Sequence, residues 1–324
     1  MSYYFNGDLE DFLLTSKEEY TIEFNPFNEE FEYFIALLEN ETICTKKVYN
    51  DDYINYLKYE FNCDLKTTKS KVGAELWCFE IYDLTLQKRI NSRFFTKKYS
   101  NKYNEHPAVK IYEPEELEEG FIYKEDISVS GMGNYLYPRD KRKLYKILKD
   151  RPLLKEKLLR RTEDISSLID GQDIYHYQNT VDEYFQYKGT FIGRDFKNEA
   201  WFVDYKDKLT NFMEEELNIQ GPYAVDSFIY EDKLHFLSEI NNRKTMGYIA
   251  HKLKKKYFND FPLFKSILIP SKKIDDFKLT YSMDLENTYL ISPRGNLFCY
   301  FVIVANTEQE LKKSELKLYS RVFD

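Results

Sequence analysis

The chain has few of the residues on which several common kinds of site depend. Its four cysteines, Cys44, Cys63, Cys78 and Cys299, form no CxxC pair, so the spacing favours buried reduced thiols over a disulfide framework or a zinc site. Its four histidines form no HExxH or similar ligand pair. We therefore expect no metal chemistry through nitrogen or sulfur ligands, which leaves oxygen ligands.

Other absences narrow the class of protein. No stretch approaches 18 consecutive apolar residues, and the first residues lack the charged start and apolar centre of a signal peptide. A formal net charge of -8 argues against bulk nucleic-acid binding. We expect a soluble, cytoplasmic protein that binds neither nucleic acid nor membrane.

The composition is that of a folded chain with several packed units. Hydrophobic residues make up 43% and charged residues 31% of the 324 positions, a globular balance. Residues 1–90 alternate short β-like runs such as TICTKKVY with helical runs such as NEEFEYFIALLEN. This alternation predicts a small α/β unit at the start of the chain.

The stretch 223–241 carries the clearest candidate site. It predicts two β-strands, Tyr223–Tyr230 and Lys233–Asn241, joined by a two-residue loop. Because side chains alternate between the two sides of a strand, Asp226, Glu239 and Asn241 all project from one side. The other side carries the apolar residues Val225, Ile229, Leu234, Phe236 and Ile240.

The polar side of this hairpin has the composition of a magnesium–nucleotide site. A two-residue loop places Asp226 opposite Leu237 and makes Glu239 its diagonal neighbour, roughly 7 to 8 Å away, so the two carboxylates can share a cation. Mg²⁺ prefers oxygen ligands, and Arg243 and Lys244 stand where they can meet phosphates. A solvated polar face on an ordinary hairpin is the alternative interpretation of the same residues.

A second informative stretch is GFIYKEDISVSGMGNYLYPRD, residues 120–140. It predicts a strand, Phe121–Lys124, followed by a loop of mostly small residues: Ser130, Gly131, Met132, Gly133 and Asn134. Such a loop exposes backbone amides to an anion, and Lys124 would reach the same anion. The Walker and Rossmann glycine patterns are absent, so a plain glycine-containing turn is the alternative.

Several further elements can be predicted from local patterns. Asn91 or Ser92 can begin a basic helix that contains Arg93, and the segment TEDIS predicts a turn at Glu163 and Asp164. Helices are predicted at 141–149, 204–217 and 248–257. Alternating polar and aromatic residues in 171–203 predict an antiparallel sheet that carries Lys188 and Arg194.

Taken in order, these motifs resemble those of the ATP-grasp superfamily of ligases. The ordered set is a lysine strand with a serine–glycine loop, a Glu-Lys-apolar segment at 156–159, the strand AVDSF and the Glu-x-Asn motif of EINNR. The resemblance covers about residues 91–310. It implies an α+β fold in which two lobes, 91–155 and 156–324, enclose ATP, preceded by the small α/β lobe 1–90.

The resemblance also implies a role for each motif residue. Asp226, Glu239 and Asn241 would hold Mg²⁺, with Mn²⁺ as an alternative ion. Arg93 and Lys124 would contact the phosphates of ATP, and Ser130, Gly131, Met132, Gly133 and Asn134 would close over them. Glu156, Lys157, Leu158 and Leu159 would bind the adenine, and Glu163 or Asp164 the ribose. Lys188 and Arg243 would act on the transferred phosphoryl group.

Two positions depart from the pattern of the superfamily. Arg93 stands where many members carry a lysine. Many members also have an arginine just before the first metal-binding aspartate, where this chain has Ala224 and Val225. Arg243 or Arg194 would then have to bind the substrate carboxylate.

The function implied is an ATP-dependent carboxylate–amine ligase. A substrate carboxylate would attack the γ-phosphate of ATP, and an amine would displace phosphate from the resulting acyl phosphate to form an amide. The partners would be small molecules or peptides that carry a carboxylate and an amine; a homodimer is left open. A phosphotransferase on the same scaffold and a nucleotide-binding scaffold without turnover are the alternatives.

Overall fold

Three β-sheets with helices packed on them make up the structure, a computed structural model that describes residues 1–15, 17, 19–79, 83–128, 133–215, 217–274, 280–281 and 285–323. The first sheet is formed by the N-terminal residues, the second by residues 109–157 and the third by residues 163–305. The candidate site residues lie where these three sheets approach one another.

The N-terminal sheet is parallel, with strand order β3-β2-β1-β4. Its elements are β1 Ser2–Tyr4, α1 Leu9–Leu13, α2 Pro26–Glu29, α3 Tyr33–Glu39, β2 Thr42–Cys44, α4 Asp51–Phe61, β3 Thr67–Thr68 and β4 Ala74–Leu76. Since parallel strands need crossover connections, the helices lie between them along the chain, as the alternation in the sequence predicts.

The second sheet is antiparallel, with strand order β5-β8-β6-β7. The chain passes through α5 Leu84–Ile90, α6 Arg93–Tyr103, β5 Val109–Ile111, β6 Phe121–Lys124, β7 Asn134–Leu136, α7 Lys141–Asp150 and β8 Leu153–Lys157. Ser92 begins α6, since its side chain accepts a hydrogen bond from the backbone N–H of Phe95. β8 runs across residue 155, the predicted border between two lobes, and the division into lobes stays a proposal.

The third sheet has eight strands in the order β13-β12-β9-β10-β11-β14-β16-β15. Its elements are β9 Glu163–Asp170, β10 Asp173–Val181, β11 Tyr187–Ile192, α8 Phe202–Met213, β12 Tyr223–Tyr230, β13 Lys233–Asn241, α9 Met246–Tyr257, β14 Leu263–Pro270, β15 Thr288–Leu290, β16 Phe298–Ala305 and α10 Glu308–Phe323. One side of its β9–β12–β13 part packs on α6 and α8 around Tyr205, Phe212 and Phe236.

The hairpin of β12 and β13 has the predicted ends, but its register differs from the predicted one. Asp226 stands directly opposite Glu239 and not opposite Leu237. The register shifts beyond Asp226, where residues 236–238 stand opposite the single residue Ser227. Leu237 has a φ of +59° and donates its backbone N–H to the Ser227 hydroxyl at 3.1 Å. This bulge brings the two carboxylates nearer than the diagonal arrangement that we expected.

The predicted turn at Glu163 and Asp164 is also wrong, because both residues lie at the start of β9. This strand is central in its sheet: Asp164 pairs with Asn179 of β10 on one edge and with Phe228 of β12 on the other. Pairing along both edges extends the strand into a segment whose local sequence favours a turn.

The helices keep their predicted positions with small shifts of their ends. The structure has α7 at Lys141–Asp150, α8 at Phe202–Met213 and α9 at Met246–Tyr257. Within the residues that the structure describes, none of the helices has both the length and the apolar character needed to cross a membrane.

Candidate active site

A cavity of about 390 Å³ lies between the three sheets. Nine of the residues singled out from the sequence line it: Arg93, Lys124, Asn134, Asp164, Lys188, Asp226, Glu239, Asn241 and Arg243. They come from α6, β6, β7, β9, β11, β12, β13 and the segment after β13. Residues distributed over 150 positions of the chain are thus brought to one place.

The carboxylates of Asp226 and Glu239 form the centre of this group. Asn241 donates a side-chain N–H to Asp226 Oδ2 at 2.7 Å, and the hydroxyl of Ser166 on β9 donates to Asp226 Oδ1. Ser166 in turn accepts an N–H from Asn179 at 2.7 Å. The predicted location of Asp226, Glu239 and Asn241 on one side of the hairpin is what the structure shows.

The electrostatics of Asp226 favour a bound cation. Burial, together with the negative charge of Glu239, raises the pKa of Asp226 to about 6. Each carboxylate oxygen has two lone pairs, so one donor on each oxygen leaves room for a metal. Two carboxylates and an amide oxygen are the ligand chemistry of Mg²⁺, and the group fits that ion. No three described His, Cys, Asp or Glu side chains converge on a common metal position.

Arg93 joins the acidic pair, Asp226 and Glu239, to the second sheet, which we call the small sheet from here on. Its guanidinium donates to both carboxylate oxygens of Glu239, at 3.1 and 3.3 Å, and to the backbone carbonyl of Glu125 at 3.0 Å and the hydroxyl of Ser128 at 2.6 Å. The side chain is only 3% exposed. This planar group can offer its remaining N–H donors to a phosphate beside Glu239.

Lys124 lies at the end of β6, as predicted, and is buried. Its ammonium is 2.5 Å from a carboxylate oxygen of Glu156 on β8. Burial lowers the pKa of Lys124, while the charge of Glu156 opposes that shift. The ion pair with Glu156 therefore fixes the position of the lysine at the wall of the cavity, between β6 and β8.

Lys188 and Asn134 line the same cavity from other directions. The Lys188 ammonium is 2.9 Å from Asp182, on a part of the sheet away from the acidic pair. Asn134 has a buried carbonyl oxygen without a hydrogen-bond partner among the described residues. At Gly133 a Cβ atom would lie 2.6 Å from the Ser128 side chain, so glycine lets the loop pass close to it. Ser130, Gly131 and Met132 lie outside the described residues.

The predicted adenine-binding residues line a separate crevice beside the cavity. Glu156, Lys157, Leu158 and Leu159 border it, and its volume is about 10 Å³, roughly the space of one water molecule. Arg161 lines both the crevice and the cavity. Its guanidinium lies 4.2 Å from the ring of Phe228 and 2.7 Å from Asp164. A base can enter here only if this side chain moves.

The two candidate ribose residues occupy different positions. Asp164 lines the cavity as well as a neighbouring groove, whereas Glu163 lines only the groove. Glu163 is paired with Arg194 at 2.6 Å. Of the two predicted alternatives, Asp164 therefore faces the cavity in this structure.

Arg243 lies between the acidic pair and the N-terminal part of the cavity wall, since its charge interacts with Asp226 and Glu239 as well as with Glu10. Its guanidinium is in contact with Glu10 of α1, and Glu10 is 3% exposed. Burial acts to lower the pKa of Arg243, but the negative charges of Glu10, Glu239 and Asp226 together outweigh it, so the pKa of Arg243 is raised. Burial raises the pKa of Glu10 to about 7, against the effect of Arg243.

The N-terminal part of the cavity wall is not predictable from the motifs. It carries aromatic residues together with Glu10: Phe5, Phe27, Phe31, Phe79 and Phe298. Most of them belong to the first sheet and the loops after it, whose sequence has no glycine-rich or acidic motif. Their only sequence signal is a high content of phenylalanine in residues 1–90, which a core would also explain.

This chain can be compared with known proteins by its sequence and by its structure. Neither the models of known protein families nor the curated protein sequences contain a match to the chain. Solved structures do match. N5-carboxyaminoimidazole synthetase from Staphylococcus aureus has a TM-score of 0.57 at 11% identity, over 90% of this chain and 94% of that chain.

Two further solved structures are similar. Carboxyaminoimidazole ribonucleotide synthase from Aspergillus clavatus, complexed with ATP, has a TM-score of 0.55 at 14% identity, over 86% of this chain and 81% of that chain. L-amino acid ligase from Bacillus licheniformis has a TM-score of 0.54 at 12% identity, over 75% of this chain and 74% of that chain. The chain thus has the ATP-grasp fold, as its motifs predict.

Proposed function

We propose that the chain is an ATP-dependent carboxylate–amine ligase. One observation carries the proposal: two facing carboxylates, Asp226 and Glu239, share a cavity wall with the buried cations Arg93 and Lys124. Opposite charges assembled around one space suit a polyanion that arrives with a divalent cation. The similarity to a synthase complexed with ATP and to an L-amino acid ligase supports the same choice of ligand and reaction.

Asp226, Glu239 and the carbonyl oxygen of Asn241 would hold Mg²⁺, or Mn²⁺ in its place. The bound ion would neutralise phosphate charge during transfer. Arg93 and Lys124 would orient the phosphates, since both are fixed by partners on the small sheet before any ligand binds. Phosphoryl transfer needs mainly positioning and charge stabilisation, which these side chains offer without a nucleophile of their own.

The reaction would proceed in two steps. A substrate carboxylate attacks the γ-phosphate of ATP, and ADP leaves with its electrons on the β-phosphate oxygen. An amine then attacks the acyl phosphate, loses a proton and displaces inorganic phosphate. Arg243, whose charge acts on Asp226 and Glu239 as well as on Glu10, would stabilise the phosphate oxygens in both steps.

The only cysteine that lines the cavity does not offer an alternative nucleophile. Burial raises the pKa of the Cys78 thiol to about 12, so it stays protonated at neutral pH. Its sulfur donates to the backbone carbonyl of Lys244. A covalent thioester mechanism through Cys78 is therefore disfavoured, and direct attack of the amine on the acyl phosphate is the simpler route.

Adenine would bind in the crevice beside Glu156, Lys157, Leu158 and Leu159 after Arg161 moves from the ring of Phe228. The vacated ring would offer a stacking surface for the base. Asp164 would then be free of its ion pair with Arg161 and could accept hydrogen bonds from the ribose.

The experiment is a screen for substrate-dependent release of ADP. Pools of amino acids, other small carboxylates and amines are added with Mg²⁺ and ATP, and products are identified by mass. The proposal expects ADP release that needs a carboxylate, together with an amide product when an amine is present. A phosphorylated acceptor would instead establish a phosphotransferase, and absence of nucleotide binding by calorimetry would reject both functions.

A further inference from the structure

At the N-terminal end of the cavity, one carboxylate oxygen of Glu10 has no interaction partner within the part of the chain that the structure describes. Glu10 uses Oε1 to contact Arg243, while its Oε2 is buried and has no hydrogen-bond partner among the described residues. A buried acceptor without a partner is destabilising, and more so when the group is charged. A ligand that donates a hydrogen bond there would remove that destabilisation.

The charge of the site selects the kind of donor. Arg243 is already paired with Glu10, so a substrate carboxylate would meet the free Oε2 as a like charge. Glu239 adds a second negative charge close enough to affect Glu10, and the positive charge of Arg93 acts on Glu10 in the opposite direction. An ammonium group is attracted to this position, whereas a carboxylate is repelled by it.

The surface next to Glu10 is apolar. Arg243 lies 5.5 Å from the ring centre of Phe79, so the Glu10–Arg243 pair stands at the edge of the aromatic wall. Phe31 connects this wall, with ring centres 6.0 Å from Phe5 and 5.8 Å from Phe27. These rings offer apolar surface to a ligand, since they line the cavity and Phe27 is 39% exposed.

Gly7 keeps this surface open at the turn between β1 and α1. A Cβ atom at this position would lie 2.6 Å from the ring of Phe5 and 3.3 Å from the ring of Phe27. Glycine therefore allows the backbone to pass between the two rings without displacing them. The same turn leads directly into α1, which carries Glu10.

We propose that this end of the cavity is the acceptor subsite, in which Glu10 Oε2 binds the amine and the aromatic wall binds an apolar or aromatic group attached to it. This inference rests on the proposed ligase function, whose acceptor class it names. The acceptor is then an amine of the aralkyl or apolar amino-acid type, and the N-terminal sheet determines the specificity of the enzyme.

Calorimetry with three probes tests the subsite in the full chain, with Mg²⁺ and a non-hydrolysable ATP analogue present. Benzylamine carries both the ammonium and the ring, ethanolamine carries the ammonium without the ring, and toluene carries only the ring. We expect benzylamine to bind at least about tenfold more tightly than either partial probe, because each lost contact is worth 1.4 kcal/mol or more. Equal affinity of ethanolamine and benzylamine would overturn the role of the wall.

Two variants separate the charge from the ring. Glu10→Gln should weaken the binding of benzylamine by roughly 10- to 100-fold, the size of a lost charge-assisted hydrogen bond, and leave the affinity for toluene unchanged. Glu60 is an exposed residue of α4, in the N-terminal part of the chain that also carries Glu10. Glu60→Gln is therefore the matched control and should change the affinity for neither probe. Phe27→Ser should weaken benzylamine and leave ethanolamine unchanged. Unchanged benzylamine affinity in Glu10→Gln would contradict the proposal.

The fold of Glu10→Gln is checked by its circular dichroism and by its affinity for the ATP analogue. Should that variant fail to fold, Phe27→Ser still decides the outcome, since it lies at the exposed edge of the wall. The two proposals fail differently. Loss of the ligase proposal would show as no carboxylate-dependent ADP release with benzylamine still bound, whereas loss of this one would show as amide formation that is indifferent to Glu10 and Phe27.

Discussion

The two ends of the cavity differ in what they are built from. The end beside the small sheet is charged, with Arg93, Lys124, Asp226 and Glu239 held by ion pairs and hydrogen bonds. The N-terminal end is aromatic and has a single buried ion pair, between Glu10 and Arg243. Under the function proposed above, the charged end would hold the nucleotide and the aromatic end would select the substrate, a division of labour between the two ends.

The two ends also differ in how far the sequence reveals them. The charged end consists of short motifs, most of them on strands whose alternation can be recognised locally, with Arg93 in the first turn of α6. The aromatic end is assembled from phenylalanines in α2 and in the segments after β1, α2 and β4, together with Phe298 of β16, and their shared position at the cavity depends on tertiary packing. Variants at each end test whether the two ends have separate roles.

The largest effect is expected at the acidic pair. Glu239→Gln removes one negative ligand and the partner of Arg93, so substrate-dependent ADP release should fall by roughly 10²- to 10³-fold or more, because several kcal/mol of charge stabilisation depend on the ion. Glu308→Gln, on the exposed part of α10, is the control. Turnover by Glu239→Gln at the wild-type rate would show that the metal assignment is wrong.

A smaller loss is expected at Lys124. Lys124→Ala should weaken the ATP analogue by roughly 10- to 100-fold in calorimetry, since it removes a buried charge-assisted contact. The single change also leaves Glu156 buried without its partner. The double variant Lys124→Met with Glu156→Gln separates these effects, and wild-type affinity in both variants would remove Lys124 from the nucleotide site.

The acidic pair should also cost stability when no ligand is bound. Burial raises the pKa of Asp226 to about 6, above its value of about 3.9 in an unfolded chain. The folded state therefore binds more protons than the unfolded state between these values, and stability falls as the pH rises through this window. At pH 7.5 Asp226→Asn should then unfold a few degrees above the wild type, and this difference should vanish near pH 4.

Differential scanning calorimetry of the ligand-free protein at both pH values measures this effect. Addition of Mg²⁺ with the ATP analogue should reverse the order at pH 7.5, because only the wild type gains binding energy from the ion. If ligand-free Asp226→Asn is less stable than the wild type at pH 7.5, the claim that the ionised carboxylate of Asp226 destabilises the folded state is wrong.

The smallest effect is expected when the aromatic end is tested with the ligand of the charged end. Phe27→Ser should leave the affinity for the ATP analogue within about twofold of the wild type, since distant sites without shared partners behave independently. Calorimetry with the analogue and Mg²⁺ provides the measurement. A tenfold loss would mean that the two ends of the cavity are coupled and that the division of labour is wrong.

Local patterns predict much of the fold but not its irregularities. The ends of β12 and β13 and the strand Phe121–Lys124 agree with the prediction, because alternation and the Glu231–Asp232 loop are local signals. The pairing of Asp226 with Glu239 could not be predicted, because it depends on a bulge at Leu237 that no turn residue announces. Glu163 and Asp164 were placed in a turn because their pairing partners are distant in sequence.

The residues of the site also divide into those that local sequence patterns predict and those that they do not. Asp226, Glu239 and Asn241 could be predicted because acids on an otherwise apolar hairpin stand out. Glu10 could not, since a single glutamate in a short helix resembles any solvent-exposed acid until the fold buries it against Arg243. The position of Arg161 at the adenine crevice could not be predicted either, because it depends on tertiary packing against Phe228.

The most direct test of the central claim is Mn²⁺ binding followed by electron paramagnetic resonance, with a non-hydrolysable ATP analogue present. The measurement needs no knowledge of the substrates. We predict that the wild type binds Mn²⁺ when the analogue is present and that Glu239→Gln does not, whereas Glu308→Gln behaves as the wild type. Equal Mn²⁺ binding by the wild type and Glu239→Gln would contradict the assignment of Asp226, Glu239 and Asn241 as the site of the nucleotide's metal ion.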